Sequence, residues 1–153
     1  LVVFSPKLLL RFPEAVSSLE EMAKGSFQEI IDDATAKVNL VDTVVLCSGK
    51  FYYEAKIKAK ELGVENYAFV RLEQLYPLPQ KQIESVLSKY KAKQVLWAQE
   101  EPENMGYWSY VIREFGWSRF AKLVARKKSA SPATGFLKVH GEEQAALINR
   151  AFE

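Results

Sequence analysis

Short runs that are apolar at nearly every position constrain this chain more than any other feature. Thr43–Cys47 reads Thr-Val-Val-Leu-Cys, Gln94–Ala98 reads Gln-Val-Leu-Trp-Ala, and Leu1–Phe4 opens the chain in the same way. Tyr67–Leu72 is a fourth run, interrupted by Arg71, and Lys122–Ala125 is a weaker fifth. A strand with one face in water alternates apolar and polar residues. A run that does not alternate predicts a strand covered on both faces. Between the runs the period changes to helical. Gly49–Leu62 spaces Tyr52, Ala55, Ala59 and Leu62 along one face and stops at Gly63. Gln80–Tyr90 follows Pro79 and repeats Ile83, Val86 and Leu87. Further helices are expected over Val16–Ala23, with caps at Ser17 or Ser18, and over Tyr107–Phe115 and Glu142–Phe152. Gly25–Val41 is the least regular stretch and is expected to be a surface excursion. Strand and helix in alternation predict an α/β fold: a three-layer, mostly parallel, doubly wound sheet of about five strands.

A chain of 153 residues with 48% hydrophobic residues can build one core but not two. The net charge of +2 is too small to argue for nucleic acid. No apolar run approaches the roughly 20 residues of a membrane span, and no signal peptide is visible. The single cysteine, Cys47, cannot form an intrachain disulfide and fits a reducing compartment. The chain opens on Leu1, inside a predicted strand. It is therefore expected to be a fragment of something longer, one domain over residues 1–153.

The polar residues cluster where strands end. Leu1–Phe4 runs into Ser5-Pro6-Lys7, with Arg11 a turn further on. Thr43–Cys47 runs into Ser48-Gly49-Lys50, Gln94–Ala98 into Gln99-Glu100-Glu101-Pro102, and Lys122–Ala125 into Arg126-Lys127-Lys128-Ser129. In a parallel sheet these ends share one edge, and open α/β sheets bind ligands there. Helix starts and nearby Lys or Arg favour phosphate or carboxylate. Ser-Pro and Ser-Gly are equally ordinary turns. Ser48-Gly49-Lys50 lacks the spacing of a P-loop.

Other polar residues have plainer readings. His140 has no Ser or Cys partner at a recognisable spacing, and one Cys with one His makes no metal site. Cys47 is expected to be a small core residue. Glu100 and Glu101 are adjacent and point apart on an extended backbone, so they cannot act as an acid–base pair. Arg71 needs a carboxylate if it is buried, and Glu73 lies on its face of the strand. Trp97, Tyr107, Trp108 and Trp117 could form a partner surface, though most of them are expected in the core.

Five strings occur in order: Ser5-Pro6-Lys7-Leu8-Leu9-Leu10-Arg11, Cys47-Ser48-Gly49-Lys50, Val70-Arg71-Leu72-Glu73-Gln74-Leu75-Tyr76-Pro77, Trp97-Ala98-Gln99-Glu100-Glu101-Pro102 and Ser129-Ala130-Ser131-Pro132-Ala133-Thr134-Gly135. Together they resemble the C-terminal domain of the thiamine-dependent component of 2-oxoglutarate dehydrogenase. The resemblance implies a transketolase-type C-terminal domain. The parent would be an oxidoreductase of the tricarboxylic acid cycle that decarboxylates 2-oxoglutarate and succinylates a lipoyl group. Its implied partners are the preceding domains of the same chain, a second copy in a homodimer, and the lipoyl-bearing dihydrolipoyl succinyltransferase. Thiamine diphosphate and magnesium would sit in those preceding domains. The Gly-Asp-Gly…Asn motif that holds them is not in this sequence, so no cofactor and no catalytic residue is assigned here. The implied location is cytoplasm in a bacterium or mitochondrial matrix in a eukaryote.

Some actinobacterial members of this family bind acetyl-CoA as an activator on this domain. The resemblance places such an anion site on Lys7, Arg11, Lys50, Gln99, Arg126 and Lys127. Where the family has Arg-Arg, this chain has Arg126-Lys127, and lysine meets a phosphate only as a point charge. Two other readings stay open: the equivalent domain of a transketolase or pyruvate dehydrogenase β chain, and a free-standing nucleotide- or CoA-binding module.

Overall fold

A computed structural model describes residues 2–153, with Trp117 lacking a described side chain. Five strands form one sheet in the order β1-β3-β2-β4-β5. They are β1 (Ile30–Ile31), β2 (Thr43–Cys47), β3 (Tyr67–Leu72), β4 (Gln94–Pro102) and β5 (Lys122–Arg126). The last four are parallel, and β1 joins β3 antiparallel at one edge. The helices are α1 (Leu19–Lys24), α2 (Lys50–Leu62), α3 (Gln80–Tyr90), α4 (Trp108–Phe115) and α5 (Leu137–Arg150).

The non-alternating runs are buried because both faces are covered. Along β2, Val45 and Cys47 pack with Phe51, Ala55 and Leu147 of α2 and α5. Val44 and Leu46 face the other way, towards Ile83 and Tyr90 of α3 and Trp108 and Val111 of α4. These two apolar layers meet through a sheet one residue thick, the doubly wound arrangement the sequence predicts. The predicted spans of β2, β3 and α3 match the observed ones. Helix α2 ends where Gly63 takes a left-handed φ of 65°, a conformation a side chain would disfavour by about 1 kcal/mol. Helix α1 is shorter than predicted. Ser18 is its cap: its hydroxyl accepts from Glu21 N–H while the Glu21 carboxylate accepts from Ser18 N–H.

Several expectations are corrected. Leu1 lies outside the described residues, and Val2–Phe4 form no strand. Val2 is 79% and Phe4 95% exposed. A strand needs a partner, and Val2–Phe4 pair with none of the five strands. The fifth strand comes instead from Gly25–Val41, the predicted excursion, through Ile30 and Ile31. β4 continues through Gln99-Glu100-Glu101-Pro102, past its expected end, with a bulge between Ala98 and Pro102. The polarity of those residues concealed their strand conformation. Helix α5 begins at Leu137, before the expected Glu142. Its first turns are exposed, and only Gln144, Leu147 and Ile148 are buried. An overhanging helix leaves no apolar period to detect.

Candidate anion-binding edge

The chain leaves β2 through α2 to β3, then crosses back through α3 to β4 on the other side of β2. This reversal opens a crevice beyond the carboxyl ends of β2 and β4, the place where such sheets take ligands. Gly49, at φ 61°, turns the chain sharply out of β2 into α2. Lys50 then stands over the end of β4. Its Nζ lies 2.7 Å from Glu54 Oε1 and 2.9 Å from Glu100 Oε1. Gln144 of α5 donates from Nε2 to Glu54 Oε2 at 2.6 Å and to Glu100 Oε1 at 2.7 Å. Burial works to lower the Lys50 pKa, but the two carboxylates outweigh it and hold the ammonium above its ordinary value. The crevice is thus spanned by a charged cluster drawn from α2, β4 and α5.

Arg126, the last residue of β5, continues the cluster. Its Nε donates to the Glu100 carbonyl at 2.7 Å. Its Nη1 donates to Thr134 Oγ1 at 3.0 Å and approaches Glu143 Oε2 at 3.3 Å. The Thr134 hydroxyl also donates to Glu143. That hydroxyl first, and then Arg126, hold the Glu143 carboxyl below its ordinary value.

The six predicted residues do not form one site. Arg126 and Lys127 line a cavity of about 730 Å³ with Lys128, Ser129, Ser131 and Thr134. Lys7 and Lys50 line another, of about 690 Å³, with Leu8, Glu54, His140 and Gln144. Helix α5 separates them, presenting Glu143, Ala146 and Arg150 to the first and Gly141, Gln144 and Ile148 to the second. Arg11 is exposed and borders neither. Gln99 is 5% exposed and committed to the fold. Its Oε1 accepts from Trp97 Nε1 at 2.9 Å and Trp108 N at 3.1 Å, and its Nε2 donates to the carbonyls of Pro102 and Met105. It shapes the bulged end of β4 and its turn, and it has no polar group to offer an anion.

The other sequence readings resolve by burial. Arg71 is paired with Glu73, a pairing the sequence left open, donates to the Tyr53 hydroxyl at 2.6 Å, and lies over the rings of Tyr52 and Tyr53. Its Nε lies 3.1 Å from Glu73 Oε1 but is not aimed at it, so the contact is ionic and not a hydrogen bond. Cys47 is fully buried, and that burial pushes its thiol pKa up, away from reactivity. Trp97 and Trp108 are core residues and Tyr107 is exposed; the Trp117 side chain lies outside the description. Glu100 turns into the crevice while Glu101 is exposed. Glu54, Glu143 and Gln144 escaped the sequence reading, and Thr134 entered it only within the Ser129–Gly135 string. Only Glu54 left a signal, its i,i+4 spacing from Lys50. The two partners of Gln144 are 90 and 44 residues away.

Among the described residues no three His, Cys, Asp or Glu side chains gather as a metal-ligand set, and no helix is long and apolar enough to cross a membrane. These residues do not fit a magnesium diphosphate: the carboxylates of Glu54, Glu100 and Glu143 are already held by Lys50, Gln144 and Arg126. The cluster pairs cations with carboxylates.

Fold and edge together define the class: a doubly wound, mostly parallel α/β domain with a charged edge at its strand ends. A solved structure described as a split gene transketolase, inactive beta4 tetramer, shares the fold with a TM-score of 0.50 over 72% of this chain and 38% of that one; at 18% identity the likeness speaks for fold alone. The chain belongs to the family described as 2-oxoglutarate dehydrogenase C-terminal, whose profile matches residues 16–152. Among its relatives are the 2-oxoglutarate dehydrogenase E1 component of Cupriavidus necator, 40% identical, and that of Rickettsia prowazekii, 43% identical. The 2-oxoadipate dehydrogenase complex component E1 of Rattus norvegicus is also 40% identical. Each alignment covers 99% of this chain but only 17% of the relative.

Proposed function

We propose that residues 1–153 are the C-terminal domain of a thiamine-diphosphate-dependent 2-oxo acid dehydrogenase. That enzyme decarboxylates 2-oxoglutarate and passes the succinyl group to a lipoyl group on its succinyltransferase partner. The observation that carries this reading is the match over almost the whole chain to E1 components whose remaining length lies beyond it. The preceding domains would supply thiamine diphosphate, magnesium and the catalytic residues. This domain would support the homodimer and bind a regulatory anion along the edge set by Lys50, Arg126 and Lys127. Lys7 would contribute through the cavity it shares with Lys50, and Arg11 from solvent.

A second reading concerns the substrate. The equal identity to E1 components named for 2-oxoadipate and for 2-oxoglutarate favours the coarser class, a 2-oxo dicarboxylic acid. The test is turnover with thiamine diphosphate and magnesium. A longer enzyme carrying this chain should release carbon dioxide from 2-oxoglutarate or 2-oxoadipate, and the 153-residue chain alone should not. Turnover by the chain alone would overturn the assignment. Calorimetry with acetyl-CoA and with AMP tests the anion edge; heat with neither leaves a structural role only.

A further inference from the structure

We propose that Glu143 is a built-in competitor for the anion edge: its carboxylate holds Arg126, and an incoming polyanion must take its place. The proposal rests on the anion-binding reading above and names how that site is regulated.

Arg126 is the one predicted cation whose guanidinium faces the larger cavity and is also matched by an acid from a different element. Its side chain is 13% exposed, and all three of its nitrogens are engaged. The contacts made by Nε and Nη2, to the carbonyls of Glu100 and Pro132, are neutral. The contact made by Nη1 is shared between the Thr134 hydroxyl and Glu143. Glu143 is therefore the only charged partner of Arg126 among the described residues. It is also the exchangeable one. Its side chain is 44% exposed and stands on the overhanging half of α5, and both its partners lie across the cavity rim. The same rim carries Lys127, which is exposed, and Lys128, which reaches Glu103 only at 3.5 Å. Ser129 and Ser131 add hydroxyls, although the Ser131 hydroxyl already donates to the Ala133 carbonyl at 2.8 Å.

A pyrophosphate-type ligand offers Arg126 and the two lysines more negative charge than one carboxylate does. Once seated, it would repel Glu143 from the rim and release Thr134, loosening the tie between the 127–135 loop and α5. Gln144, the next residue, grips Glu54 and Glu100 in the Lys50 cluster. Displacement at one cavity would therefore reach the other through one turn of helix.

The experiment is calorimetric titration of the chain with inorganic pyrophosphate, with circular dichroism to check the fold. Glu143→Gln keeps the shape and removes the competing charge. It should tighten pyrophosphate by roughly five- to tenfold. Thr134→Val, which removes the hydroxyl holding Glu143, should tighten it less. Glu65→Gln makes the same change in net charge at a remote surface pair with Lys37 and should leave affinity unchanged. Equal tightening by Glu143→Gln and Glu65→Gln would overturn the proposal in favour of net charge. Binding that is unaltered by Glu143→Gln and Thr134→Val would overturn competition while leaving the anion edge standing. No binding to any variant would remove the anion edge itself.

Discussion

Two charged clusters in this domain use the same chemistry and reach opposite ends. At the β1 edge, the Asp33 carboxylate, with its side chain 1% exposed, accepts from the N–H and hydroxyl of Thr35, from Phe69 N at 3.0 Å and from Lys56 Nζ. β1 pairs Ile31 with Arg71, so Asp33 falls opposite Phe69 and takes over the edge of β3 where backbone pairing stops. At the carboxyl edge the carboxylates of Glu54, Glu100 and Glu143 are 25%, 32% and 44% exposed, and Lys50, Glu54, Arg126 and Glu143 border two cavities. The first cluster is closed at its carboxylate: Asp33 is buried and both of its oxygens are engaged. The second is balanced but open. Burial decides which cluster is structural and which can exchange partners, because a buried charge that loses its partner cannot turn to solvent.

The sharpest way to break this contrast is Asp33→Ala. It leaves Lys56 and the Phe69 N–H without their acceptor and should cost about 3–5 kcal/mol in urea unfolding. A loss below about 1 kcal/mol would mean that the cluster is not closed. The same residue sets an acid response. Burial works to raise the Asp33 pKa, but the bonds from Phe69, Thr35 and Lys56 hold it below the ordinary value. A carboxyl held lower when folded contributes fully above about pH 4, its unfolded range, and that contribution drains away as pH falls through the folded value. Asp33→Asn should therefore show a flatter loss of stability between neutral pH and pH 3. Asp32, held low in the face of burial by Lys89 and Tyr90, shares this slope and will leave part of it.

Next in size is Gln99→Leu, expected to cost about 2–3 kcal/mol because it removes the acceptor shared by Trp97 Nε1 and Trp108 N. Gly106→Ala probes the same turn. Gly106 has φ 69°, and an added Cβ would sit 3.0 Å from Gln99 Nε2, so about 1–2 kcal/mol is expected. If Gln99 were instead a ligand group, Gln99→Leu would weaken acetyl-CoA binding at unchanged thermal midpoint.

At the open cluster the balance of effects reverses. Lys50→Glu and Arg126→Glu should cost anion affinity tenfold or more by charge reversal, at roughly 1–2 kcal/mol of stability. Unchanged affinity in both would leave the edge without a function. The smallest effect belongs to the exposed pair Lys37–Glu65, where Glu65→Gln should change stability by less than about 0.5 kcal/mol.

The sequence by itself determined the layers. Val44 to Cys47 cannot be a half-exposed strand, Gly63 ends α2, and the order of runs and periods admits little but a doubly wound sheet. It also placed Lys50 and Arg126 at strand ends and Glu73 on the same face as Arg71, because such neighbours are set by local geometry. Only the tertiary structure decided which polar residues were already spoken for. Gln99 looked like a ligand group and is a buried brace. Asp33 lay in what looked like loose surface chain and anchors a sheet edge. Glu143 and Gln144 gave no sign of the cations and carboxylates they meet. The reason is physical. Strand and helix periods are properties of adjacent residues, whereas whether a charge is satisfied depends on partners brought together by packing, tens of residues away, which no local pattern encodes.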